Sequence, residues 1–213
     1  MEYLTGLTLS DLVTKFGPLP PGRVNYLLRQ VCGGLSQAHN LGIIHRDLKP
    51  GNIFIANRGG ETDVAKILDF GLVKFTGESP PAALTSVNLV SGTPLYMAPE
   101  QATGRRDLDG RADLYALGAV AYFALTGRPP FEGESAFEVM ISHARDSAVP
   151  PSNLRPEIPS DLEAVCLRCL AKSPEERYPN AKALCEALSA CKCATEWGPN
   201  RADAWWNAMM EPG

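Results

Sequence analysis

Apolar residues recur at helical spacing near the start of the chain. Leu9, Leu12, Val13 and Phe16 follow Thr8, whose hydroxyl is placed to cap a helix with Asp11 three residues on. Gly17 and Pro18 end that helix, and Pro20 and Pro21 suit the first turn of a longer one. Its stripe runs Val24, Leu27, Leu28, Val31, Leu35 and Ala38 and stops before Gly42. From residue 43 to 75 the period changes: two short apolar runs, 53–56 and 64–68, flank the turn-forming cluster 57–63 and predict a small hairpin. Residues 76–90 hold Gly77, Pro80, Pro81, Thr85 and Ser86 with no sustained period, and read as a mobile surface loop.

Beyond that loop the run 112–125 is apolar on all sides. It falls short of the roughly 20 residues a spanning helix needs, and Asp113 lies within it, so it reads as a buried core helix. An amphipathic helix follows near 135–144, then a Pro-rich connector at 150–159 and two helices at 161–171 and 181–188. Residues 194–213, with Trp197, Trp205 and Trp206, form either a short terminal helix or a frayed end, and carry no assignable chemistry. The fold class is mainly α with a small β-hairpin, and no internal repeat is visible.

With 213 residues, 45% of them hydrophobic, the chain can bury an ordinary core as one domain or two small ones. A net charge of -4 gives no basic field for a nucleic acid or an anionic membrane, so proteins and nucleotides are the expected partners. The chain opens without a secretory signal, which makes a cytoplasmic location the expectation. Six cysteines raise a disulfide framework, and Cys166 with Cys169 and Cys191 with Cys193 raise a zinc site. Cys166 and Cys169 instead share one helix face with Leu162, Val165 and Leu170, which favours buried thiols.

The segment His45-Arg46-Asp47-Leu48-Lys49-Pro50-Gly51-Asn52 lies between a helix and the hairpin, and Asp69-Phe70-Gly71 stands seventeen residues after Asn52. Gly92-Thr93-Pro94 and Ala98-Pro99-Glu100 follow in order. An isolated Asp in a loop is ordinarily a solvated carboxylate or a turn cap; four motifs in sequence reverse that reading. Together they resemble the signatures of protein kinases, over about residues 1–188. The resemblance implies a kinase-like C-terminal lobe (α+β) with its linker over 1–193 and a tail over 194–213. Lys49 and Gly92-Thr93-Pro94 resemble the Ser/Thr branch, of the eukaryotic type found in bacteria.

In that family catalysis is mostly positioning and electrostatic stabilisation of the transferred phosphoryl group. The resemblance makes Asp47 the group that orients the attacking hydroxyl and Lys49 the cation beside the γ-phosphate. Asn52 and Asp69 become the oxygen ligands of Mg²⁺, and Glu2, Leu4, Phe54, Lys49, Asn52 and Asp69 the contacts of ATP. Arg46 beside Asp47 implies regulation by an anion, which phosphorylated Thr85 or Ser86 would supply. Asp113 is expected to accept backbone N–H groups of the catalytic loop, and Glu100 and Arg177 to form a buried ion pair. His45 reads as a hydrogen-bonding residue of its loop, and His39 and His143 as packing or surface residues.

No glycine-rich phosphate loop or V-A-x-K strand occurs in the chain, so the expectation is that an N-terminal lobe is missing and that the chain alone binds ATP poorly. Two readings stand. The chain is part of an active Ser/Thr kinase acting on protein hydroxyls, with the N-terminal lobe or a regulatory domain as further partner; or it is a non-catalytic docking or scaffold module. An aggregation-prone piece without stable function is a third, blander reading.

Overall fold

The computed structural model describes residues 5–58, 60–69, 94–105 and 107–210. The chain enters through strand β1 (Thr5–Thr8) and helix α1 (Leu9–Phe16), where the Thr8 hydroxyl accepts from the Asp11 N–H. Helix α2 (Pro21–Asn40) follows, with proline at its first position, where a missing N–H costs no bond. The hairpin is made of β2 (Ile53–Arg58) and β3 (Glu61–Ile67). Five further helices in the described residues cover α3 (Pro99–Ala102), α4 (Arg111–Thr126), α5 (Ala136–Arg145), α6 (Ser160–Cys169) and α7 (Ala181–Ser189). A last helix, α8 (Pro199–Met210), settles the alternative left open for the terminal segment.

The sheet departs from the expected two-stranded hairpin. It has three antiparallel strands in the order β1-β2-β3, with Thr5 opposite Asn57 and Thr8 opposite Phe54. The turn is also shorter than the polar cluster 57–63 implied, because β2 runs on to Arg58 and β3 starts at Glu61, with an irregularity between Ala56 and Arg58. Thr62 and Asp63 are polar but stay in the strand, since their side chains find partners elsewhere in the fold: Thr62 on Asp203, and Asp63 on Arg23 and two indoles.

Helix α4 is the axis of the core. Leu114, Tyr115, Leu117, Ala119, Val120, Tyr122 and Leu125 along it are all buried, as its unbroken apolar run required. Helices α2 and α6 pack against it, and α7 packs along α2. The approach of α6 is close enough that a Cβ at Gly118 would lie 2.5 Å from the Cys169 Cβ, so only glycine fits there. Cys166 and Cys169 lie in this interface, and the Cys166 thiol donates to the Gly118 carbonyl at 3.4 Å. Helix α8 lies on β3 with Ala202 and Trp206 buried. Among the described residues no helix is long and apolar enough to cross a membrane.

Candidate functional site

The loop after α2 is hung from a single carboxylate. Asp113, in the first turn of α4 and 1% exposed, accepts the His45 N–H on Oδ2 at 2.8 Å and the Arg46 N–H on Oδ1 at 2.9 Å. Hydrogen bonds to a charged acceptor are the strong ones, about 1.5–3 kcal/mol each, which is enough to hold Arg46 in the left-handed region at φ 66. His39, in the last turn of α2, adds a third contact from Nε2 to Asp113 Oδ2 at 2.8 Å. This corrects the assignment of His39 to packing or surface. Its ring fits only because residue 110 is glycine: a Cβ there would come within 2.6 Å of His39 Nδ1.

His45 ties the loop to the strand that follows. The Asp47 N–H points at His45 Nδ1 (3.3 Å), so that nitrogen is the acceptor and Nε2 carries the proton it donates to the Leu68 carbonyl at 3.1 Å. The Leu68 N–H in turn donates to the Asn52 carbonyl at 2.8 Å. Asn52 therefore stands just before β2, and Asp69, exposed and at φ 45, stands just beyond β3, at the open mouth of one hairpin where Ile53 faces Ile67.

At that mouth three of the expected site residues meet. Lys49 Nζ lies 2.7 Å from Asp47 Oδ2, and Asn52 Nδ2 donates to the Asp47 carbonyl at 2.9 Å. The Lys49 and Asp47 side chains are 40% and 66% exposed. An ion pair so open is worth about 0–1 kcal/mol, so it yields readily to a stronger anion. Because the Asn52 amide nitrogen is used on Asp47, its Oδ1 is the atom turned to other partners. An amide oxygen and a carboxylate on facing ends of a hairpin are hard donors of the kind Mg²⁺ takes, and so the residues present fit that ion. Phe54 pairs with Thr8 and Lys66 within the sheet and is half-buried. Glu2, Leu4, Thr85 and Ser86 lie outside the described residues.

The second framework is a buried ion pair. Arg177 donates from NH1 to Glu100 Oε1 at 2.7 Å and from NH2 to Glu100 Oε2 at 2.8 Å, joining α3 to the segment before α7. Gln101, which the sequence reading passed over, links this framework to the loop: its Nε2 donates to the Arg46 carbonyl at 2.8 Å. Its position directly after Ala98-Pro99-Glu100 was the only signal available. His143 is fully buried, with Nδ1 2.8 Å from the Tyr115 hydroxyl, and burial pushes its pKa down to about 4.

Known proteins are similar to this chain in sequence and in fold. The family described as protein kinase domain matches residues 1–188. Serine/threonine-protein kinase Pkn1 of Myxococcus xanthus is 47% identical over 188 residues, covering 88% of this chain and 26% of that protein. Serine/threonine-protein kinase PknB of Mycobacterium leprae is 43% identical over 181 residues, covering 85% of this chain and 28% of that protein. Among solved structures, Rad53 1-466 in complex with AMP-PNP aligns with a TM-score of 0.72 at 26% identity, over 88% of this chain and 45% of that one. The Mycobacterium tuberculosis PknI kinase domain aligns with a TM-score of 0.64 at 28% identity, over 89% of this chain and 64% of that one. The chain thus spans roughly a quarter of the length of these two curated relatives.

Proposed function

The chain belongs to the protein kinase family, in its serine/threonine branch, and on that premise we propose that the protein carrying it transfers the γ-phosphoryl group of ATP to Ser or Thr hydroxyls of a protein substrate, with Mg²⁺. The observation that carries the proposal is the cluster of Asp47, Lys49 and Asn52 at the hairpin mouth that ends in Asp69. In this reading Asp47 orients the incoming hydroxyl and takes its proton, and its exposure leaves room for a protein substrate. Lys49 leaves its weak pair with Asp47 to hold negative charge on the transferred group. Asn52 and Asp69 would hold the metal, which would supply charge neutralisation for the phosphates. Asp113, His39 and Gln101 keep the loop in the strained backbone that sets these groups in place.

Two finer statements belong to the same proposal. Arg46 receives a phosphorylated Thr85 or Ser86, which phosphopeptide mapping of active protein checks. The protein works in the cytoplasm, where six free thiols stay reduced. The direct test of the reaction uses the full-length protein that carries this chain, with Mg-ATP and casein, followed by phosphoamino-acid analysis. Phosphoserine or phosphothreonine is expected, with turnover lowered about 10²–10⁴-fold by Asp47→Asn. Equal transfer by that variant, or no transfer to casein or to itself by the wild type, overturns the reading.

A further inference from the structure

All three tryptophans of the chain gather round one buried ion pair that phosphoryl transfer leaves unused. Asp63 sits on β3, 0% exposed, in the left-handed region at φ 55. Its Oδ1 accepts from Arg23 NH2 at 2.6 Å and from the Trp206 indole N–H at 2.8 Å. Its Oδ2 accepts from Arg23 Nε at 2.8 Å and from the Trp197 indole N–H at 2.9 Å. The Arg23 guanidinium lies 3.9 Å from the Trp205 ring centre and 5.0 Å from that of Trp197. Removing a carboxylate and a guanidinium from water is offset only when the remaining lone pairs are filled. Here the two indoles of the C-terminal segment fill those of the Asp63 carboxylate, while Arg23 NH1 faces the aromatic rings without a hydrogen-bond acceptor.

The same segment and α2 close the outer side of β3, an edge strand that would otherwise offer open backbone groups. The Thr62 hydroxyl donates to Asp203 on α8 at 2.6 Å. Gln30 on α2 donates to the Asp63 carbonyl at 2.9 Å and accepts the Ala65 N–H at 3.1 Å. One end of the hairpin is thus fixed by α8, while the other end carries Asn52 and Asp69. Asp63 and Asp69 are six residues apart, roughly 20 Å along an extended strand, and the intervening ladder pairs Ala65 with Ile55 and Ile67 with Ile53. A displacement of β3 at Asp63 has to be absorbed along that ladder.

We propose that Trp197 and Trp206, acting through the Asp63 carboxylate, are positioning residues for the Asn52–Asp69 mouth, so that docking of α8 and the geometry of the mouth are one coupled equilibrium. The meaning of the mouth as a metal site rests on the proposed function; the coupling does not. By linkage, whatever binds at the mouth also tightens α8.

The test is residue-resolved amide hydrogen exchange on the whole chain, comparing wild type with W197F/W206F, which keeps an aromatic six-membered ring at each position but removes the pyrrole part of each indole with its N–H donor. The milder Asp203→Ala removes only the tie to Thr62. In the double variant the Leu68 amide, bonded to the Asn52 carbonyl, is expected to exchange about tenfold faster, with the α4 amides unchanged. Asp203→Ala shifts Leu68 the same way by less, and it decides the matter alone if the double variant does not fold. Unchanged exchange at Leu68 while α8 loosens, or equal acceleration everywhere including α4, overturns the proposal. Mg-ATP binding and transfer to casein, measured on the full-length protein carrying the same variants, separate the two ideas. A full-length wild type that neither binds nor transfers sinks the kinase reading and leaves the coupling standing. Wild-type binding that persists unchanged in a variant with a faster Leu68 amide removes the positioning role.

Discussion

Replacing Arg177 by alanine removes a cation whose every donor is used. The guanidinium is 0% exposed and each of its five N–H groups has an acceptor: two bonds go to Glu100, one from Nε to the Ala171 carbonyl at 2.8 Å, one from NH1 to the Arg111 carbonyl at 3.0 Å and one from NH2 to the Lys172 carbonyl at 2.9 Å. Truncation strands the Glu100 carboxylate, 8% exposed, and deprives three carbonyls of a donor. The stranded charge alone costs about 3–5 kcal/mol, and each carbonyl that water does not reach adds about 1 kcal/mol. Against a total of roughly 5–15 kcal/mol that is a large share. With about 3–8 kcal/mol in all and about 2–4 °C per kcal/mol for a chain of this size, the midpoint falls by roughly 6–30 °C. Calorimetric melting, checked by denaturant midpoints, measures it. The paired change Glu100→Leu with Arg177→Met removes the stranded charge but not the loss at the three carbonyls, so it melts well above Arg177→Ala and still below wild type. A single variant within about 3 °C of wild type, or a double variant no better than the single, refutes the reasoning.

Asp113→Asn presents an amide NH₂ to backbone groups that are themselves donors, so the Arg46 turn relaxes; phosphoryl transfer is expected to fall about 10²-fold with a smaller change in the KM for ATP, read by steady-state kinetics. Burial beside Tyr115, Phe131 and the Lys172 ammonium holds His143 at about 4 against its usual 6.5. Between those values the unfolded chain takes a proton that the folded one refuses. This contribution is therefore whole above pH 6.5 and is lost as pH falls towards 4, on the order of 3 kcal/mol. Denaturant midpoints across that window should flatten in His143→Gln. Burial also raises the Cys166 thiol to about 12 and Cys191 and Cys193 to about 11. A thiol reagent at pH 8 is thus expected to label half-buried Cys185 first and the other five only on unfolding.

The parts of the fold that read directly from the sequence are those whose signal is local. Helix α2 announced itself by a stripe from Val24 to Ala38, α1 by its cap at Thr8, α5 by its amphipathic pattern, and α4 by an apolar run with no polar face. The loop cluster was legible for the same reason, since Asp47, Lys49 and Asn52 lie within six residues. What stayed hidden depends on distant partners. Strand β1 is four residues long, too short for a period of two to register, and its partner Asn57 lies far along the chain. His39 finds Asp113 across 74 residues. Asp63 has the left-handed backbone of the turn residue it resembles, but its side chain answers to Arg23 and to indoles more than 130 residues away. Such an ion pair follows from the packing of α2, β3 and α8, which no local window contains.

The most direct test of the central claim, that Asn52 and Asp69 form the metal site of a nucleotide-dependent phosphoryl transferase, is paramagnetic NMR with Mn²⁺ in place of Mg²⁺, with and without ATP. The account predicts line broadening centred on Asn52 and Asp69, dependent on nucleotide and lost in Asp69→Asn. Broadening spread over exposed carboxylates such as Asp107, Asp109 and Glu175, or unchanged by Asp69→Asn, would contradict it.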